Sequence, residues 1–279
     1  MTNELDMAGP SGAIMDLRPI IISAPFGNYL NVDGATRTVG SFTLHPRGGV
    51  VWRTWRVAAT VRYSWRMQSW RNKLGLPNPG IESWIQHYLR QGTIHRNPDT
   101  VVSVYGWNAK EWTSLVRQVY DATPYPVELN LSCPNVDHVF PVEDVAAAVA
   151  VDPTRIIAKL APLNWMPVAE KLWHMGVRAF HCCNTIWTPG GGLSGAVLRP
   201  YSLAAVRDLR HRFGAEITLI GGGGITHPDH VNMYASAGVN SVAVGSVILR
   251  LWPIMRLHPI QQRAACMLQQ VGHEKHNVA

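Results

Sequence analysis

Eight short β-rich runs, most of them apolar, punctuate the chain, at residues 18–24, 36–43, 101–105, 126–132, 155–160, 178–183, 216–221 and 240–245. Their apolar positions run on rather than alternating, as expected of parallel strands covered on both faces. Between most of them lie longer stretches of helical spacing, at residues 107–122, 142–149, 165–175, 201–213 and 228–237, with turn residues near their ends. Strand and helix therefore alternate, which requires crossover connections and a parallel sheet. Eight such units predict an α/β chain closed into a single (β/α)8 TIM barrel, with an open doubly wound sheet as the alternative that periodicity leaves standing.

One stretch departs from this rhythm. Residues 47–71 carry Trp52, Trp55, Trp65 and Trp70 interleaved with Arg53, Arg56, Arg62 and Arg66, and contain no acidic residue. Arginine beside tryptophan can stack nucleobases or ring cofactors, and the same composition suits an amphipathic hairpin packed over a barrel mouth or a subunit interface. We read it as a packing element, an insertion at about 47–71 and a candidate homodimer surface. No internal repeat or low-complexity tract appears elsewhere, and the polar run 273–279 is expected to fray. The expectation is one domain over residues 1–279.

Composition adjusts this picture only slightly. At 279 residues and 47% hydrophobic, the chain is close to the ~250 residues of one α/β barrel. Residues 1–16 hold neither a basic leader nor a long apolar run, and no segment offers the ~20 apolar residues of a membrane span, so a cytoplasmic protein with no membrane partner is expected. Cys133, Cys182, Cys183 and Cys266 have no spacing suited to zinc, an iron–sulfur cluster or a disulfide framework, and no metal site is expected. The net charge of +7 attracts nucleic acid, anionic metabolites and acidic partners alike and selects none.

The glycine turns are more informative. Gly221, Gly222, Gly223 and Gly224 end the seventh strand, and Gly245 with Ser246 end the eighth. Glycine lets backbone N–H groups approach a phosphate unhindered, and barrels commonly hold phosphate after strands seven and eight. The fourth strand ends in Asn130, Ser132, Cys133 and Asn135, which places two carboxamides and a thiol at a carboxyl end. Those amides suit a ring with alternating carbonyl and N–H groups, and a thiolate can exchange a proton; a buried thiol with capping amides is the plainer reading. Lys159 ends the fifth strand, Asn184 and Thr185 follow the sixth, and residues 191–195 read as a flexible glycine turn. A lysine there either stabilises negative charge in a poorly hydrated site or forms a surface salt bridge.

Taken together, residues 72–80, 130–135, 159–160, 184–185, 191–195, 221–225 and 245–246 resemble, in order and spacing, the dihydroorotate dehydrogenase family. The resemblance implies FMN as cofactor, its phosphate on Gly223, Gly224, Gly245 and Ser246. Ala24, Ser41, Asn130, Lys159 and Gly195 would complete the flavin site. It implies that Asn72, Asn130, Asn135, Asn184 and Thr185 hold a pyrimidine whose carboxylate meets the backbone of Leu74, Gly75 and Leu76. Cys133 looks like the catalytic base of the family's soluble class. The activity implied is oxidation of dihydroorotate, or a related dihydropyrimidine, to orotate, with the second electron acceptor open among fumarate, a nicotinamide and a partner subunit.

The sequence also departs from the family. Gly40 stands where the soluble class carries a lysine that touches flavin and substrate, and residues 23–27 lack the lysine of the other class. Lys73 is the candidate substitute. The connection between residues 25 and 40 is short for a full barrel helix, and residues 137–140 replace the loop expected after the base. Two further readings follow: a dihydrouridine-synthase-like enzyme acting on another substrate, in which the Arg–Trp segment meets RNA, and a barrel relative that has lost cofactor or turnover. The first lacks the RNA-binding domain, so nucleic acid is not the expected partner.

Overall fold

The computed structural model describes residues 15–48, 55, 57–91, 97–133, 141–249 and 253–274. Eight parallel strands close into a barrel: β1 (Ile20–Ile22), β2 (Ala35–Phe42), β5 (Thr100–Val104), β6 (Val127–Asn130), β7 (Ile156–Lys159), β8 (Ala179–Cys182), β10 (Thr218–Gly222) and β11 (Ser241–Val244). β1 pairs with both β2 and β11, which closes the ring and removes the open-sheet alternative. Each barrel strand falls within, or within one residue of, an apolar run of the sequence.

Two apolar layers hold the barrel. Inside it, Ile21, Val101, Ile157, Ala179, Ile220 and Ala243 pack together, with Met15 and Leu17 against them. Outside it, the alternate strand residues meet the helices Ala109–Ala122, Trp165–His174, Arg199–Phe213, Pro228–Ser236 and Pro253–Glu274. The helix Ala109–Ala122 shows why these sequences fold locally. Asn108 caps it by accepting from Glu111 N, and Trp112, Leu115, Val116 and Val119 recur at helical spacing on its buried face. Complete burial of each such side chain contributes roughly 1.5–3 kcal/mol.

Two departures from the sequence reading, the helix Ile81–Arg90 and the strand Gly192–Gly195, lie in connections beyond the carboxyl ends of the strands, whereas the short first connection and the hairpin were expected. A single 3-10 turn, Phe26–Asn28, takes the place of a helix between β1 and β2. Gly27 packs so closely there that a Cβ would stand 2.3 Å from Thr38 O. Between β2 and β5 the chain forms a hairpin, β3 (Arg62–Ser64) and β4 (Ser69–Asn72), then an unanticipated helix, Ile81–Arg90. Residues 191–195, read as a flexible turn, largely form β9 (Gly192–Gly195), which pairs antiparallel with β4. The strand forms because β4 supplies hydrogen-bonding partners that local propensity does not reveal. At the far end, the final helix runs on to Glu274, into the stretch read as frayed. No described helix is long and apolar enough to cross a membrane.

Candidate active site at the carboxyl end of the barrel

Side chains of alternate strand residues point into a barrel, so register decides which polar groups meet. Ser103 pairs with Glu128, Asn130 with Lys159, and Lys159 with His181, which sets five polar side chains above the apolar inner layer. Glu128, Lys159 and His181 are 1%, 7% and 2% exposed, so their interactions act in a poorly hydrated space. Lys159 Nζ lies 3.4 Å from Glu128 Oε1, and His181 Nδ1 lies 2.7 Å from Glu128 Oε2. This is a buried ion pair, not the surface salt bridge weighed as one role for Lys159.

Burial pushes the Glu128 carboxyl up, but the Lys159 ammonium, His181 and a hydrogen bond from Ser103 outweigh it and bring the group down to about 2. Burial and the Lys159 charge lower the His181 pKa, against the pull of Glu128. At neutral pH, His181 is therefore a neutral imidazole donating its Nδ1 proton to a carboxylate.

A carboxylate only accepts, and this fixes the direction of the hydrogen bonds above it. Ser103 donates to Glu128, so Ser41 donates to Ser103 across 2.7 Å. The Ser41 oxygen in turn accepts from Asn130 Nδ2 at 2.9 Å, and Asn130 Oδ1 accepts from Asn184 Nδ2 at 2.6 Å. Asn184 Oδ1 takes the backbone N–H of Thr185 at 2.9 Å. Ser41, Asn130, Lys159, Asn184 and Thr185, separate candidates in the sequence, thus stand together. Glu128, Ser103 and His181, to which the sequence reading gave no role, are the base on which they rest. The available signal was two-residue alternation: Glu128 shares the inner face of β6 with Asn130, and His181 is the register partner of Lys159.

The glycine turns lie at the same end. At Gly222 a Cβ would enter the barrel 3.0 Å from Ala243 O and 3.4 Å from His181 Nε2, so glycine keeps the space above the inner layer clear. Gly223 and Gly224 have φ of 117° and 68°, and a Cβ on Gly224 would approach Gly195 O to 2.9 Å, which brings Gly195 to this turn. Tyr234 holds the turn from beneath by donating to Gly222 O and Gly223 O at 3.1 and 2.9 Å. Gly245 and Ser246 follow β11, and Ser23, next to Ala24, donates its N–H to Val244 O at 2.9 Å. The space and the donor set, a buried lysine with carboxamides and open glycine backbone, fit a flat anionic cofactor at this end.

The sheet β3–β4–β9 is built from the connections that leave the carboxyl ends of β2 and β8. Its last residue on β4, Asn72, accepts from Leu74 N and donates to Gly192 O, both at 3.5 Å. Gly75 and Leu76 adopt φ of 72° and 55°, a curl pinned by Asn78. Buried Asn78 accepts from Thr43 N and Gly80 N and donates to Leu76 O, while Arg47 Nε donates to Gly75 O. Asn78 lies in the stretch 72–80 that carries part of the resemblance, and its role as a clamp comes only from the fold. Lys73 is exposed, with its side chain against Gly191.

Cys133, three residues beyond β6, is half-buried beside Tyr105, whose phenol is pushed up by burial and further by the neighbouring sulfur. Burial pushes the Cys182 thiol well up and holds Cys183 at about 12 despite a hydrogen bond from Ser202, so both stay protonated. Cys266 lies on the final helix. Cys133 is thus the thiol placed at the mouth. Asn135 and residues 137–140 lie outside the described residues. Among the described residues, no group of His, Cys, Asp and Glu could hold a metal ion.

Fold and site together define an α/β-barrel protein with a buried cluster of polar side chains toward the carboxyl ends of its strands, where barrel enzymes carry their chemistry. The model of the dihydroorotate dehydrogenase family matches residues 175–256, from the approach to β8 through the two glycine turns. The catalytic subunit of dihydroorotate dehydrogenase B (NAD(+)) from Alkaliphilus metalliredigens is 27% identical over 226 residues, 71% of this chain and 73% of that one. Its counterpart from Latilactobacillus sakei is 28% identical over 251 residues, 79% and 78% of the two chains. Dihydroorotate dehydrogenase A (fumarate) from Lactiplantibacillus plantarum is 29% identical over 205 residues, 63% and 66%. Over these stretches the chain is similar to dihydroorotate dehydrogenases of both named kinds, in keeping with the resemblance read from its motifs.

Proposed function

We propose that the protein is an FMN-dependent oxidoreductase that converts dihydroorotate, or a close dihydropyrimidine, to orotate. The observation that carries this reading is the convergence of Ser41, Asn130, Lys159, Asn184 and Thr185 at one barrel mouth, facing two glycine turns. Bound FMN would supply the two-electron acceptor, taking a hydride from C6 of the substrate. Gly223, Gly224, Gly245 and Ser246 would hold its phosphate, with Ala24, Gly195 and Lys159 along the remainder. Asn72, Asn130, Asn135, Asn184 and Thr185 would orient the pyrimidine, and the backbone of Leu74, Gly75 and Leu76 would take its carboxylate. As a thiolate, Cys133 would remove the C5 proton, and the electron pair of that C–H bond would become the C5–C6 double bond.

The relatives' names specify NAD(+) in one case and fumarate in another, so similarity to them selects no single second acceptor. A second reading, a barrel that binds flavin without oxidising dihydroorotate, has Gly40 in its favour, because no lysine side chain reaches the site from β2.

An anaerobic absorbance spectrum of the purified protein before and after dihydroorotate tests both readings. Bleaching of an oxidised flavin band is the expected result. A band that persists favours the second reading, and a colourless protein that takes up no added FMN refutes both. Cys133→Ala should keep FMN bound and slow its reduction by a factor on the order of 100. Unchanged single-turnover reduction would remove Cys133 from the mechanism.

A further inference from the structure

Three groups converge on one buried carboxylate. Glu128 accepts from His181 Nδ1 on one oxygen, faces the Lys159 ammonium with the other, and also accepts from Ser103. Nothing in the proposed chemistry uses Glu128 or His181, and an ionised carboxylate inside a barrel is costly unless its partners are fixed. Its place is therefore informative. It lies one layer below Asn130 and Lys159, the two buried residues that would meet the cofactor.

We infer that Glu128 is a positioning residue that sets the charge and place of Lys159 at the cofactor, and that His181 holds Glu128 in the orientation to do so. This rests on the FMN reading. The carboxylate compensates the lysine charge, so the flavin meets an ammonium whose field is partly cancelled from behind. His181 supplies a neutral donor to the far oxygen, which keeps the near oxygen turned to Lys159 without adding a second positive charge. The remaining groups facing the pair are uncharged: Ser103 on β5, Asn130 on β6 and the protonated Cys183 after β8.

The test is a double-mutant cycle on the midpoint potential of the bound flavin, in the wild type, Glu128→Gln, Lys159→Met and the double variant. Loss of the compensating carboxylate should favour the reduced flavin by on the order of tenfold, about 30 mV for a two-electron couple. In the Lys159→Met background a carboxyl without its cation takes up a proton, so Glu128→Gln should then change nothing. His181→Leu should reproduce the shift, whereas His181→Asn, which keeps a donor near Nδ1, should leave the potential at its wild-type value. That pair keeps the test decisive if Glu128→Gln fails to fold. A flavin potential that does not move, or that moves equally with and without the Lys159 amine, overturns the inference and leaves the FMN reading intact. A wild type that binds no flavin overturns both.

Discussion

Gly40 occupies the position at which the family resemblance calls for a lysine, and the backbone there excludes any side chain. Its φ is 104°, and a Cβ would stand 2.3 Å from Ser103 O and 2.9 Å from Phe42 N. Nor can the chain slide away easily, because Asn28 brackets the residue, donating to Gly40 O at 3.0 Å and accepting from Gly40 N at 2.9 Å. For Gly40→Ala, the positive φ costs about 1–3 kcal/mol, and forcing a methyl against strand backbone costs about 1–3 kcal/mol more. A loss of about 4 kcal/mol follows, which should lower the urea midpoint by at least about 1 M. Gly214→Ala is the control, since Gly214 has φ of 58° and nothing within 4 Å of its built Cβ. Strain alone should act there, at about 1–3 kcal/mol, so the difference between the two variants isolates the clash. Urea unfolding followed by tryptophan fluorescence measures both. If Gly40→Ala falls within about 1 kcal/mol of the control, the backbone clash is not real, and Gly40→Lys becomes a usable way to restore the missing cation.

Acidification should weaken the fold in two stages. The His181 pKa is depressed in the folded state, so the unfolded imidazole binds a proton first; its contribution is complete above pH 6.5 and is lost below it, a stage that His181→Asn should remove. Glu128 is held at about 2 against 4.5, so its contribution is present above 4.5 and lost as the pH falls toward 2, a stage that Glu128→Gln should flatten. Urea midpoints measured from pH 8 to pH 2.5 give both slopes, and a variant slope matching the wild type would refute the corresponding assignment. Asn78→Ala strips the clamp from residues 72–80 and leaves Thr43 and Gly80 donors unpaired, at a cost of about 2–4 kcal/mol. It should raise KM for dihydroorotate with less effect on kcat, and should hasten hydrogen exchange in that loop; an unaltered exchange pattern would argue against the clamp.

The barrel was legible because burial on both faces leaves its mark on consecutive residues. In β7 and β11, for example, Ile156–Lys159 and Ser241–Val244 carry apolar side chains toward both the lumen and the helices, and no surface strand would tolerate that. The helix Ile81–Arg90 was missed although Ile81, Trp84, Ile85 and Tyr88 have helical spacing, because it starts from Gly80 with no side-chain cap to mark its beginning. β9 was beyond sequence reasoning for a different reason. Two of its four residues are glycine, and only the partner β4, more than 100 residues away, makes it a strand.

The site divides along the same line. Residues at the ends of strands stand out in a sequence, since a carboxamide or lysine there interrupts an apolar run; Asn130, Lys159 and Asn184 were singled out as candidates this way. Glu128 and His181 lie within the runs, where each looks like an isolated exception, and their meaning comes only from register. Glu128 lies 31 residues from Lys159 and 53 from His181, and a shift of one residue in either pairing would turn one partner out of the barrel. The closure that makes the fold thus also makes the network. It follows that substitutions which loosen register far from the mouth, in the inner layer at Ile157 or Ala179, should disturb the proposed flavin site before they unfold the protein. A variant such as Ile157→Val should alter the flavin spectrum at a stability cost of only about 0.5–1.5 kcal/mol. An unperturbed spectrum at that cost would mean that the polar layer holds its own geometry and does not inherit it from the barrel beneath.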